Sequence, residues 1–246
     1  MGTKKFKLLK SEKINHNGHT LYRIQALKDF SDVKKGDVGG WVEKEENLSH
    51  KGNCWIYNSA KAYDDSKVFE NAKIMDYAEV FGQARVSGES LIQNHARVFD
   101  GAIVTCRSFL RDYSYVCGEA RLLGNVELTD SAMMCGNSCV HGNIIARDKV
   151  VICGNVEIWD RAIFLGDAYI SRKTDYYCGC EFMDNGYPFT YTRSNDMWQN
   201  INTYGTREDF LKTLNKIVPY KVPFYTKVMD FVEDLLNDTN CITHQA

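Results

Sequence analysis

A chain of 246 residues has room for one extended domain and a small appendage, and its formal net charge of −2 leaves no whole-molecule field to draw it onto nucleic acid or an anionic membrane. Apolar residues make up 44% and charged residues 25%, the balance of a folded globular protein and not of a disordered one. No run approaches the ~20 apolar residues of a membrane span, and Met1 to Lys13 lacks the apolar stretch of a secretory signal. Nine cysteines, an odd number, therefore read as reduced thiols of a cytoplasmic protein.

The first segment is locally basic (Lys4, Lys5, Lys7, Lys10 and Lys13 against Glu12) and reads as a solvated terminus. Asn17-Gly18 is a type I′ hairpin turn, because both residues accept positive φ, and Tyr22 to Leu27 alternates as a strand does. Between Lys28 and Glu43, Phe30 and Trp41 are candidate plugs for an open end of the fold. Gly39-Gly40 lets backbone pass close.

From Ile56 to Ile170 every sixth residue is apolar and most are branched, as in Val80, Val98, Val116, Val140 and Ile158. Two residues before each sits a small or β-branched residue (Ala78, Ala96, Ser114, Ser138). Two residues after, a turn former is usual (Gly82, Asp100, Gly118, Asp148). Alternation puts the small and the branched residue on the same inward side of a short strand, and the turn former bends the chain toward the next. One hexad cannot bury its own side chain, so hexads must stack. The only prolines are Pro188, Pro219 and Pro223, which leaves everything earlier free to pair as strand.

After Ile170 the repeat fades. A hairpin region is expected over Tyr176 to Tyr204, followed by two helices. Thr206 N-caps the first, which carries Phe210, Leu211, Leu214 and Ile217 on one face. The second begins near Pro223 and carries Phe224, Val228, Phe231, Val232 and Leu235.

The hexad pattern resembles the left-handed parallel β-helix of hexapeptide-repeat proteins, and the resemblance implies three hexads per coil and the hand. Six to seven coils at ~4.8 Å each make a prism roughly 30 Å long. The stretch from Lys28 to Ser49 is similar to the N-terminal cap of bacterial and bacteriophage hexapeptide-repeat proteins with a provisional transferase label. Tyr191 to Leu214, with Trp198, Gly205 and Phe210, resembles their C-terminal domain. The expected organisation is mainly β: an N-terminal cap over 1–47, the repeat over 48–173, and a small α+β domain of hairpin and two helices over 174–246.

Many proteins of this fold are acyltransferases, and the resemblance implies a catalytic histidine beside a loop thrown out from a coil, in a cleft shared with a neighbouring subunit. The register here admits no insertion between Ile56 and Ile170. His95 and His141 are the candidate bases within the coils, but they fall in different phases of the hexad and neither has a paired second group. His50 occupies a slot where the phase calls for an apolar residue. Cys117, Cys135 and Cys153 recur every 18 residues above Tyr63, Phe81 and Phe99; stacked thiols form a line, unlike the tetrahedron zinc requires. Cys178-Gly-Cys180 has no second pair nearby. No metal site and no cofactor are expected.

The outward positions carry more. One column reads Leu91, Phe109, Glu127, Ile145, Ile163, and a second Tyr115, Met133, Val151, Tyr169. Stacked large apolar residues make a contiguous patch that another subunit, the C-terminal helices or a foreign protein would cover. The fold's usual assembly implies a homotrimer. Three functions compete: a non-enzymatic protein-binding surface, of phage or mobile-element type, acting on a host component; an acyltransferase using His95 or His141 between subunits; and a polymer stacked end to end. Caps at both ends disfavour the last.

Overall fold

The computed structural model describes residues 4–179, 188–200 and 203–237. The repeat folds as a parallel β-solenoid of about seven turns, with its strands in sheets of ten, seven and six. Partners lie 18 residues apart: Ile92 sits between Ile74 and Leu110, and Val98 between Val80 and Val116. These branched residues and the alanines or serines two positions before them (Ala72, Ala78, Ala96, Ser90, Ser108, Ser114) are buried, so the interior is a stack of alternating small and large side chains.

The turns show why aspartate shares with glycine the position after each core residue. Asp64, Asp76, Asp100 and Asp148 adopt φ of 57°, 59°, 56° and 60°. Each also accepts a hydrogen bond at one carboxylate oxygen from the turn amide one coil above (Gly82, Asn94, Gly118 and Gly166) at 2.9–3.2 Å. The side chain recovers between coils what the left-handed backbone costs. One corner departs from this rule. Gly124 and Gly142 do not take positive φ, and the strands after them lengthen to Asn125–Leu128 and Asn143–Ala146. A Cβ on Gly142 would lie 1.8 Å from the carbonyl oxygen of Asp160, so close stacking, not turn geometry, requires glycine there.

The N-terminal hairpin, β1 (Phe6–His16) and β2 (His19–Ala26), pairs antiparallel with β3 (Val38–Val42), which opens the parallel stack beside Lys61 and Ala62. Three expectations about this end are corrected. The core slot assigned to His50 belongs to Leu48, which bridges to Val68 and is buried, because two extra residues separate Leu48 from Ile56; His50 instead packs on Phe6 and pairs with Glu45. The plug is Phe6, Ile24 and Trp55, with Phe30 edge-on to Trp55 at 5.4 Å; Trp41 is only partly buried and lies under the Arg23 guanidinium. Lys5 is not solvated: its ammonium is buried and donates to Cys54 O at 2.7 Å and Cys54 Sγ at 3.2 Å, and burial lowers its pKa.

At the other end Tyr176 packs edge-on over Phe164 and closes the stack. The expected hairpin is a four-stranded antiparallel sheet (Tyr176–Gly179, Phe189–Thr192, Met197–Asn200, Thr203–Gly205), joined to the solenoid strand Arg161–Phe164 by Ile163 N–H to Thr190 Oγ1 at 3.3 Å and Leu165 N–H to Gln199 Oε1 at 3.0 Å. Cys180 lies outside the described residues. Helix α1 (Arg207–Ile217) is capped by Thr206, which accepts from the Asp209 amide, and α2 (Val222–Asn237) lies beside it. Both pack on the sheet through Phe189, Trp198, Phe210, Leu214, Tyr225 and Met229. Ile217, Phe224, Phe231 and Leu235, expected on the buried faces, are exposed. No described helix is long and apolar enough to cross a membrane.

Candidate functional site

On the ten-stranded face the outward column changes character halfway along. Its first coils present Lys61, Glu79 and Arg97; then Tyr115, Met133, Val151 and Tyr169 follow in unbroken register. The neighbouring column runs Tyr63, Phe81, Phe99, with rings 5.0 Å apart and parallel within 2°, and Phe99 meets Tyr115 at 6.1 Å. Above them come Cys117, Cys135 and Cys153, the last with its thiol 3.0 Å from Tyr169 Oη. Aromatic rings, aliphatic side chains and thiols therefore form one strip along this face. The helices contact the C-terminal sheet and each other, and that domain reaches the strip at its far end, where Ser194 Oγ accepts from the Tyr169 amide at 2.7 Å. Tyr169 remains half exposed.

The column on the seven-stranded face fares differently. Ile163 is buried against the C-terminal sheet, and Glu127 is neutralised by Arg147 at 3.1 Å. Phe109, Ile145, Ile163 and Pro188 line a small cavity of about 290 Å³. So the C-terminal domain covers the upper end of one apolar column with its sheet and leaves most of the other open.

The candidate bases are held apart at separate corners. His95 is sandwiched between Tyr77 and Tyr113, at 5.2 and 5.1 Å with planes within 6°. His141 lies on Trp159 and its Nε2 is 3.1 Å from Cys139 Sγ. Among the described residues neither ring is hydrogen-bonded to a carboxylate, the partner that would orient a general base.

A cluster the hexad reading passed over sits at the hairpin tip. Asn17 (φ 51°) and Gly18 (φ 88°) make the tight turn, which sets His16 opposite His19 and both against the Tyr63 ring. His16 Nε2 is 3.1 Å from the buried Glu79, which also takes Lys61 at 3.1 Å and the Tyr63 hydroxyl at 3.3 Å. Burial foremost, with the Glu79 charge, pushes the Tyr63 phenol up to about 12. His19 lies between two carboxylates, Nδ1 3.1 Å from Glu43 and Nε2 3.3 Å from Asp64. The other oxygens of those carboxylates are fixed by the amides of Asp64 and Gly82. A neutral imidazole has one N–H, so one carboxylate would face a bare lone pair; the arrangement favours the protonated ring, and its hydrogen bond to Glu43 raises its pKa. His19, Glu43 and Asp64 are the group of metal-ligand side chains within 4.8 Å of one another among the described residues. The signal was legible: histidines flanking a two-residue I′ turn must face each other.

The fold and the repeat define a hexapeptide-repeat β-solenoid with a transferase-like relative. Over 38 residues the chain is 50% identical to a protein of Escherichia coli (strain K12) described as the uncharacterized acetyltransferase YdcK. That stretch is 15% of this chain and 12% of the relative, so the match spans about an eighth of the relative's length. No family model matches the chain.

Proposed function

We propose that this chain is a non-enzymatic binding protein whose rigid ten-stranded face meets another protein through the strip Tyr115, Met133, Val151 and Tyr169. The observation that carries the reading is the unbroken apolar register of that strip beside an outward aromatic and thiol column. A solenoid face keeps its shape when it docks, so little ordering entropy opposes association. At roughly 25 cal/mol per Å² of covered apolar area, several coils suffice to hold a partner. A second copy, three in a closed ring, is the first occupant to test.

Val151→Glu places a charge in mid-strip without touching the inward core. Loss of mass in light scattering, with an unchanged circular dichroism spectrum, supports the strip as a subunit contact. If the mass of both proteins is monomeric, the wild type should retain a protein from its native host that the variant does not. Equal behaviour of both proteins in both assays sinks the reading.

Acyl transfer at a site between subunits, with His95 or His141 as base, is the second reading, and the similarity to an acetyltransferase favours it. It requires acyl-CoA to bind, and a flat calorimetric titration would remove it.

A further inference from the structure

On the six-stranded face a thiol and an imidazole meet. Cys139 stands outward on the strand Cys139–Val140, and His141, two residues on, leaves the chain on the same side. That spacing brings Cys139 Sγ to 3.1 Å from His141 Nε2. The imidazole is fixed in turn by the Trp159 ring one coil above, at 3.6 Å and within 1° of parallel, and Trp159 Nε1 donates to Glu157 Oε2 at 3.4 Å. Glu157 is the register partner of Cys139, so the four side chains form one cluster on two adjacent coils. Arg121 is the register partner of Cys139 on the coil below. Arg111 and Arg147 on the next face share Glu127, whereas Arg121 makes no ion pair among the described residues.

Burial, then the Glu157 charge, raises the pKa of the Cys139 thiol, and Arg121 offsets them only in part. A thiol in that state is protonated at neutral pH and needs a base before it can act as a nucleophile. With its own proton on Nδ1, the His141 ring presents a lone pair at Nε2 to take it. Nucleophile, base and a group that orients the base are then all in place. The thiolate of a weakly acidic thiol, once formed, is the stronger nucleophile. The Cys139 and His141 amides are both engaged by the next coil at 2.8 Å, so neither is left to hold a carbonyl oxyanion. The electrophile that fits needs no such donors, and a disulfide meets that condition. The unpaired Arg121 guanidinium favours one that carries carboxylates.

We propose that Cys139 is a thiol-exchange site, at which His141 as base opens a low-molecular-weight disulfide bearing carboxylates. The Cys139 proton passes to His141 Nε2, the Cys139 sulfur attacks one sulfur of the disulfide, and the S–S bond breaks. The departing thiolate takes the proton from His141. Cys139 ends oxidised as a mixed disulfide, and half of the reagent leaves reduced as a free thiol. The register neighbours of Cys139 are Arg121 and Glu157 and not a second cysteine, so its column holds no thiol to resolve the product. The site lies on a different face from the strip Tyr115 to Tyr169 and stands independently of that contact.

Oxidised glutathione added to the full chain, with peptide mass spectrometry of the products, tests this. Cys106 is the control: it is exposed, and its thiol faces the Leu123 carbonyl at 3.2 Å instead of an imidazole. At neutral pH Cys139 should be modified at least ~10-fold faster than Cys106, and His141→Gln should remove that lead while leaving the Cys106 rate unchanged. The Cys139 rate of the variant should then climb toward the wild-type rate in alkali, where hydroxide replaces the lost base. A merely structural role for His141 would leave the shape of the pH profile unmoved. Arg121→Gln should slow the reaction with oxidised glutathione but not with hydroxyethyl disulfide, which carries no charge. Wild-type Cys139 no faster than Cys106, or a His141→Gln profile matching the wild type, overturns the site. Equal rates of wild type and Arg121→Gln with oxidised glutathione overturn the preference for carboxylates.

Discussion

The ring of His141 lies flat on that of Trp159 one coil above, with centroids 3.6 Å apart and planes within 1° of parallel. Stacking of this kind fills the ring face and fixes the imidazole against its neighbour, as a ladder residue of the solenoid does. His141→Ala should cost about 1 kcal/mol, a drop of about 2–4 °C in melting temperature, with no change in assembly mass. A loss of acyl-transfer activity without that thermal shift would show that the ring works on a substrate.

The inward column tolerates far less. Val98 is fully buried between Val80 and Val116. Val98→Asp would leave a carboxylate unpaired between coils, at a cost of several kcal/mol, and should yield insoluble or unfolded protein. A soluble variant with the wild-type melting temperature would contradict the register.

The thiol column should be dispensable. Burial, then the neighbouring Cys135, pushes the Cys117 thiol up to about 11, so it is protonated and sluggish at neutral pH. Replacing Cys117, Cys135 and Cys153 together with serine should lower stability by no more than ~2 kcal/mol. Elemental analysis should find no stoichiometric zinc in either protein. Zinc present in the wild type and lost in the variant would reverse this.

The hairpin clamp should weaken in alkali. The His19 pKa is raised above 6.5, foremost by its hydrogen bond to Glu43 and further by the Asp64 charge, against an opposing burial effect. Its contribution is complete below 6.5 and fades as the pH rises through the raised folded value. Glu43, lowered from 4.5 by His19 and the Asp64 amide although burial works the other way, contributes above 4.5 and fails only in stronger acid. The melting-temperature advantage of the wild type over His19→Gln should therefore shrink as the pH rises above 6.5 and through the raised folded value. A constant gap would mean the ring stays neutral throughout.

What the sequence determined by itself was everything that repeats. A period of six held through eighteen-residue coils specifies which side chains point inward, because each hexad needs the next to cover it. The columns Tyr115 to Tyr169 and Cys117 to Cys153 followed from that period once the resemblance to hexapeptide-repeat proteins supplied three hexads per coil, and both helices and the Thr206 cap were legible in the apolar spacing and the capping residue. The tertiary structure decided whatever depends on contacts without a period. Leu48, not His50, entered the first coil, since two extra residues shift the phase there and only the Val68 neighbour reveals it. Helix α2 has two apolar stripes of equal spacing, and the sequence could not say which one the C-terminal sheet would take. His16 and His19 met Glu79, Glu43 and Asp64 because a hairpin folded back on coils more than twenty residues away. Local periodicity fixes direction along a strand or helix; the choice among equivalent surfaces belongs to long-range packing, where apolar area is buried without regard to order in the chain.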